Sequence, residues 1–268
     1  SIFFAALRAR TWNCLRSNLY PRRCLTPNGM KPAKIEYEGK DLEAMDFAEN
    51  YHRWILELFE PFSGKHVVEV GAGTGSFSKL LLEMNPTSLD LIEPSEMFRE
   101  LETNFPMSPS IGLHRNIFTR VADQLEQSPQ RPDTLFYVNV LEHIEDDRTE
   151  LATVRRVLVN GGHICIFVPA MKFLFSDFDK RLGHYRRYKK SDLLKKCEEA
   201  GFKIRIARYF DFPGMLPWFI KYRIMRSLSM ETNLVRMYDN VAVPIIKRFE
   251  KSVSPPVGKN LLVVAQKA

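Results

Sequence analysis

The sequence predicts an α/β fold built on a doubly wound, mostly parallel sheet, and three observations carry that expectation. Several β-branched runs lack polar alternation, as strands covered on both faces do. One of them leads straight into a glycine-rich turn and an amphipathic helix. Strand-like and helix-like stretches then alternate along most of the chain. At 268 residues there is room for one large domain of this class and an appended subdomain.

The organising stretch is Val67-Val68-Glu69-Val70-Gly71-Ala72-Gly73-Thr74-Gly75-Ser76-Phe77-Ser78. Val67, Val68 and Val70 suit a buried strand, and glycines at every second position let the backbone turn and approach a ligand closely. Phe77, Leu80, Leu81 and Met84 then fall on one helical face. A strand, a glycine turn and a helix N-terminus form a nucleotide-type cradle. A dinucleotide fingerprint asks for Gly or Ala at position 76, where this chain has Ser76. The pattern E-x-G-x-G-x-G instead resembles motif I of the class I S-adenosylmethionine (SAM) dependent methyltransferases.

Composition excludes some functions. The net charge of +7 suggests nucleic acid until it is located. Arg8, Arg10, Arg16, Arg22 and Arg23 lie in residues 1–29 with no acidic residue, which leaves +2 for residues 30–268. No domain-wide nucleic-acid face is therefore expected. Residues 1–29 read as a poorly ordered Arg-rich extension, with a targeting peptide or a stretch upstream of a start at Met30 as alternatives. Cys14, Cys24, Cys165 and Cys197 form no C-x-x-C pair, so free thiols in a reducing, cytoplasmic setting are expected and no metal site. No run reaches the roughly 20 apolar residues of a membrane span.

Along the chain, residues 41–60 predict a helix with Phe47, Tyr51, Trp54, Ile55 and Leu58 on one stripe. Tyr51 and Trp54 read as core; alternatively Tyr51 or Arg53 folds over a cofactor carboxylate. Leu89 to Glu93 predicts a second strand, and Glu93, 18 residues past Gly75, stands where an acid accepts both hydroxyls of a ribose. A third strand is expected between Ile111 and Val121, with Asp123 after it. Thr134 to Val138 is a clear fourth strand, ending in Asn139-Val140-Leu141-Glu142-His143-Ile144-Glu145-Asp146-Asp147 beside the glycine turn. A helix over 147–159, a Gly161-Gly162 stop and a fifth strand over 163–168 follow. The basic stretch Lys180 to Lys190 interleaves His184, Tyr185 and Tyr188, which reads as nucleic-acid stacking, as a pocket for an anionic small molecule, or as a solvated loop. Ser191 is expected to cap the next helix; Phe202–Phe210 and Asn260–Gln266 are the last strands. Residues 211–258 predict a helical cap, with an interfacial membrane helix or a dimer contact as alternatives.

The N-V-L-E-H-I-E-D-D run resembles the segment after strand four in small-molecule SAM methyltransferases, and the L-x-x-G-G-H-I-C-I-F-V-P-A phrase resembles their helix-to-strand-five segment. The phrase G-H-Y-R-R-Y is similar to one in a bacterial branch of that family. The resemblance covers about residues 41–210 and 258–267. It implies a seven-stranded sheet of order 3-2-1-4-5-7-6 with strand 7 antiparallel, in a domain spanning 30–268, with SAM as methyl donor and S-adenosylhomocysteine as product. It implies cofactor contacts at Glu69 (amino-acid end), Gly71, Ala72, Gly73, Thr74, Gly75, Glu93, Pro94, Asn139, Val140 and Tyr51, and an adenine contact at Asp123. No N-P-P-Y or D-P-P-Y phrase follows strand four, which favours O- or C-methylation over exocyclic amines. His143 and His184, with Tyr185 behind them, are the candidate bases for a hydroxyl. The expected partner is a small-molecule acceptor (a sugar, glycolipid or quinone-type precursor), anionic or lipid-linked, with peripheral membrane contact through 211–250 and a monomeric or homodimeric state as open expectations. Competing readings are an NAD(P)-dependent oxidoreductase and a non-catalytic lipid- or partner-binding protein of the same fold.

Overall fold

The computed structural model describes residues 48–106 and 108–268. The expected Arg-rich extension, and the first residues of the helix expected over 41–60, lie outside them. Seven strands form one sheet: β1 (His66–Val70), β2 (Ser88–Ile92), β3 (Ile111–His114), β4 (Thr134–Val138), β5 (His163–Pro169), β6 (Phe202–Phe210) and β7 (Asn260–Lys267). Their order is β3-β2-β1-β4-β5-β7-β6, with β7 antiparallel to both neighbours. This is the expected order and orientation.

The apolar runs follow from burial on both faces. Val68, Val70, Leu135, Tyr137, Ile164, Ile166, Leu261 and Val263 face one way. They pack on α4 (Phe118–Gln127), α5 (Asp147–Val157) and α7 (Lys190–Glu199). The alternate residues Val67, Phe136, Cys165, Phe167, Leu262 and Val264 face the other way, against α1 (Glu49–Phe59), α2 (Ser76–Glu83), α3 (Phe98–Asn104) and α10 (Val243–Ser252). Successive strand side chains point to opposite faces, so both parities must be apolar. Cys165 and Cys197 are buried free thiols in β5 and α7.

β1 pairs with β2 on one side and β4 on the other, so the chain reverses its winding between β1 and β4. Ligands of open α/β sheets bind at such a switch point, outside the carboxyl ends of the strands. The glycine turn after β1 and Asn139 after β4 both lie there.

The segment after β6 is a cap on that same end of the sheet. It runs through α8 (Met215–Trp218), a π-helical stretch Phe219–Ile224, α9 (Thr232–Met237) and a second π-helical stretch Tyr238–Ala242 into α10. Buried carboxylates fasten it. Asp239 accepts from the backbone N–H groups of Asn50 and Tyr51, both at 2.9 Å, capping α1 from across the fold. The first turn of a helix leaves such donors without partners, and α1 has no side-chain cap of its own. Glu250 accepts from the N–H groups of Asp211 and Phe212. Among the described residues no helix is long and apolar enough to cross a membrane.

Three local expectations change. The third strand stops at His114, and Asp123 lies within α4, three-quarters exposed and paired with Arg156 at 2.8 Å. It sits on the outer face of the helix, so the adenine contact assigned to it fails. Lys189, not Ser191, is the N-cap of α7; Ser191 lies inside the first turn, where its hydroxyl donates to Asp192. Arg53 is held on the surface by Glu83 and Glu49.

Candidate cofactor cradle and catalytic cluster

Gly71, Gly73 and Gly75 all adopt positive φ, at 73°, 57° and 94°. A Cβ on Gly71 would meet Val140 Cγ2 at 2.5 Å, so the segment after β4 packs directly on the turn. A Cβ on Gly73 would meet only Met97 Cε at 3.8 Å. That face of the turn is open to a ligand. Glu93, at the end of β2, is buried and accepts from Gly73 N at 2.9 Å and Ser95 N at 2.8 Å. Its carboxylate is thereby fixed at the mouth of the turn.

Glu69 is buried beneath the same turn, with Ser78 of α2 donating to it. Burial pushes its carboxyl up to about 8, the Ser78 hydrogen bond opposes this, and Glu93 adds to it. A carboxyl in that state gains from a cation brought beside it. The residues present therefore fit SAM: an open glycine turn, a strand-end acid for hydroxyls and a buried acid for an ammonium. Asn116, two residues past β3, occupies the position for which Asp123 was expected. Its Oδ1 accepts from Ile117 N, and the β3 carbonyl of His114 accepts from Glu93 N. The signal was the abrupt change from I-G-L-H to the helical pattern beginning at Phe118.

The turn Leu141–His143 after β4 is gripped by the loop 182–188. Tyr185 N donates to the Glu142 carbonyl at 2.9 Å, and the Tyr188 hydroxyl donates to the Leu141 carbonyl at 3.2 Å and Asp147 at 2.7 Å. This brings His143 and His184 together across 41 residues of chain, with ring centroids 4.6 Å apart. His184 Nδ1 lies 3.2 Å from Asp179 Oδ1, and Nε2 faces Glu142 Oε1 at 4.0 Å. Asp179, on α6 (Asp177–Arg181), also takes Arg187 Nε at 2.7 Å. Burial works to raise the Asp179 carboxyl, but His184, Arg187 and Ser176 together hold it below the usual range. Part of the basic stretch is thus consumed by the fold: Arg187 is buried and stacks on Trp218 at 4.6 Å, Arg186 pairs with the buried Asp147, and Lys180 pairs with Asp177 at the surface.

Three candidates are revised. Burial and the neighbouring His184 push His143 down to about 3, the Gly183 backbone only partly offsetting them, so it stays neutral and is a poor proton acceptor near pH 7. Tyr185 is 54% exposed, with the Arg186 guanidinium over its ring at 5.7 Å. Tyr51 does not reach the glycine turn: its hydroxyl bonds Asp211 and Asn260, both at 3.1 Å, in the β6–β7 region. β7 stands three strands from β1, roughly 14 Å at the usual spacing. Tyr51 instead lines a cavity of about 170 Å³ under the cap with Trp218, Tyr222, Leu234, Tyr238 and Lys259. The Lys259 ammonium pairs with Asp211 at 2.7 Å and lies over the Tyr51 ring at 4.9 Å.

A model of the methyltransferase-domain family matches residues 43–205. A ubiquinone biosynthesis O-methyltransferase of Vibrio atlanticus is 29% identical over 116 residues, which make up 41% of this chain and 46% of that protein. The chain thus spans about half the length of the curated relatives it matches. A SAM-dependent methyltransferase from Archaeoglobus fulgidus shares the fold with a TM-score of 0.55 at 17% identity, over 84% of this chain and 98% of that one. A phosphoethanolamine N-methyltransferase of Haemonchus contortus, solved with phosphomonomethylethanolamine and S-adenosylhomocysteine, aligns with a TM-score of 0.53 at 13% identity, over 85% of this chain and 57% of that one.

Proposed function

Because the chain belongs to the class I SAM-dependent methyltransferases, we propose that it moves the SAM methyl group to a hydroxyl oxygen of a largely apolar, aromatic small molecule, such as a quinone-type lipid precursor. One observation carries the oxygen acceptor: His184 is oriented by the buried Asp179 and faces the turn that follows β4, beside the glycine cradle. A carboxylate that fixes one ring nitrogen leaves the other aimed at a proton to be removed. A hydroxyl needs that service, whereas an amine free of its proton does not. The name of the Vibrio relative supports an oxygen acceptor of quinone type.

Bound SAM supplies a methyl group already activated by its sulfonium. The chain's residues supply position. Glu69 faces the ammonium, Glu93 the ribose hydroxyls, and the backbone at Gly71, Ala72, Gly73, Thr74 and Gly75, with Pro94, Asn139 and Val140, closes around the donor. Asn116 is the proposed adenine-side residue. Alignment of acceptor and donor of this kind can account for about 7–11 kcal/mol of barrier. The acceptor enters by the cavity under the cap, whose wall reaches the catalytic cluster through Trp218, Arg187 and Asp179. Exposed Leu216, Ile224, Met225, Met237 and Phe249, set among Lys221, Arg223 and Arg226, support a lipid-linked acceptor presented at a membrane surface.

Calorimetry with SAM, S-adenosylhomocysteine and NAD, followed by a labelled-methyl screen of phenolic, sugar and lipid pools, tests this reading. Micromolar binding of the first two and an O-methyl product are expected. Binding of NAD alone, or a labelled product methylated only on nitrogen, overturns it. Binding without turnover on any acceptor points to the non-catalytic alternative.

A further inference from the structure

Glu142 presents an anomaly. It is fully buried, yet among the described residues neither of its carboxylate oxygens has a hydrogen-bond partner, and the nearest imidazole nitrogen, His184 Nε2, stands 4.0 Å away, beyond hydrogen-bonding reach. Buried carboxylates are as a rule paired, hydrogen-bonded or bound to a metal. One oxygen of Glu142, one ring nitrogen of His143 and one of His184 all lie within 4.8 Å of one another.

We propose that Glu142, His143 and His184 bind a divalent first-row transition ion, best matched by zinc, at the carboxyl end of β4. Two imidazoles and one carboxylate with an open position form the donor set of catalytic zinc and related sites. Ligand atoms about 2.1 Å from such an ion stand roughly 3–3.4 Å apart, so binding contracts this cluster by no more than ~1.8 Å. The surroundings match as well. Metal-bound histidines pass their second ring nitrogen to a carboxylate or a backbone carbonyl. Here His184 Nδ1 meets Asp179, and His143 hydrogen-bonds the backbone of Gly183. Sequence reading expected no metal because it weighed only cysteine spacing; the ligand pair Glu142-His143 and its distant partner His184 meet only through the fold.

This inference rests on the oxygen-acceptor reading and deepens it: with the ion bound, His184 Nε2 is a ligand rather than the base, and the ion takes over the task of easing the hydroxyl proton away. The acceptor oxygen would take the open position on the ion and release its proton to solvent. An oxygen electron pair then forms the new C–O bond as the methyl leaves sulfur, and the C–S pair returns to give the neutral thioether.

The test uses the full chain, stripped with a chelator and titrated with Zn2+, Mn2+, Co2+ or Mg2+ alone. One ion per chain is expected for the first three, with Mg2+ far weaker. Glu142→Gln and His184→Gln should each remove that binding, and Asp179→Asn should weaken it by about 10–100-fold. Should the variants misfold, pulsed EPR of the Mn2+-loaded unaltered protein decides: coupling to two imidazole nitrogens supports the site, and oxygen-only ligation overturns it. Unchanged ion affinity in Glu142→Gln also overturns it. SAM calorimetry on the stripped protein separates the two readings, because loss of the ion site leaves SAM binding intact. An ion that binds as described in a protein that methylates no hydroxyl sinks the acceptor reading alone.

Discussion

Binding of SAM at neutral pH should expel a proton from Glu69. The carboxyl of this residue, buried under the glycine turn, is pushed up to about 8, so about nine in ten apo molecules hold its proton at pH 7. A cation placed beside a carboxyl lowers its pKa by roughly 1–3 units. If the SAM ammonium is that cation, the bound value falls to about 5–7, and complex formation at pH 7 releases about 0.4–0.9 of a proton. The sign follows directly: the ligand prefers the ionised acid, so affinity rises with pH. Between pH 6 and 7, where an α-ammonium stays charged, the dissociation constant should tighten roughly two- to eightfold. Calorimetry in two buffers of different ionisation enthalpy reads the released proton directly. Glu142, whose carboxyl burial pushes up to about 7, also titrates in this range, so Glu69→Gln is the decisive control. That variant should bind SAM more weakly, with almost no proton release and a flatter pH profile. Release below about 0.3 of a proton, or equal release from Glu69→Gln, refutes the placement of the ammonium.

Four further outcomes can be measured. Gly73→Val should abolish SAM binding while the circular dichroism spectrum stays native-like, with the melting temperature lowered because a β-branched residue is strained at φ 57° even where its Cβ meets open space; retained affinity refutes the cradle. Without SAM, the folded state holds the Glu69 proton from the ordinary carboxyl range up to about 8, where the unfolded chain has released it. Stability should therefore fall as pH rises through that window, and Glu69→Gln should flatten the fall in denaturant titrations. Asp239→Ala strips the first-turn cap of α1 and should cost about 1–2 kcal/mol, a few degrees in melting temperature, with no change in SAM affinity. Trp218→Ala should raise KM for the acceptor while leaving SAM affinity unaltered; an unchanged KM removes the cavity from the acceptor path.

Local chemistry suffices for much of this molecule. Valine runs without polar alternation can satisfy themselves only between two helical layers, so the buried sheet is written in residues 67–70, 134–138 and 163–168. The glycine turn is equally legible, because no residue with a Cβ takes its backbone path freely. Glu93 is recognisable because it closes the strand after that turn. The seven-stranded order came from resemblance to a family, since no local preference orders strands.

Tertiary structure decided the rest. Asp123 and Asn116 compete for one role, and only the end of β3 at His114 separates them. Tyr51 lies on the apolar stripe either way; its hydroxyl commits to Asp211 and Asn260, residues 160 and 209 positions away. The basic run from Lys180 to Lys190 resembles a solvent-facing patch until Asp179 and Asp147 absorb Arg187 and Arg186. Most of all, Glu142 and His143 meet His184 because the loop 182–188 folds onto the turn after β4. Sequence periodicity reports which face of an element is apolar, and it carries no record of which polar side chains two distant loops bring within a few ångströms.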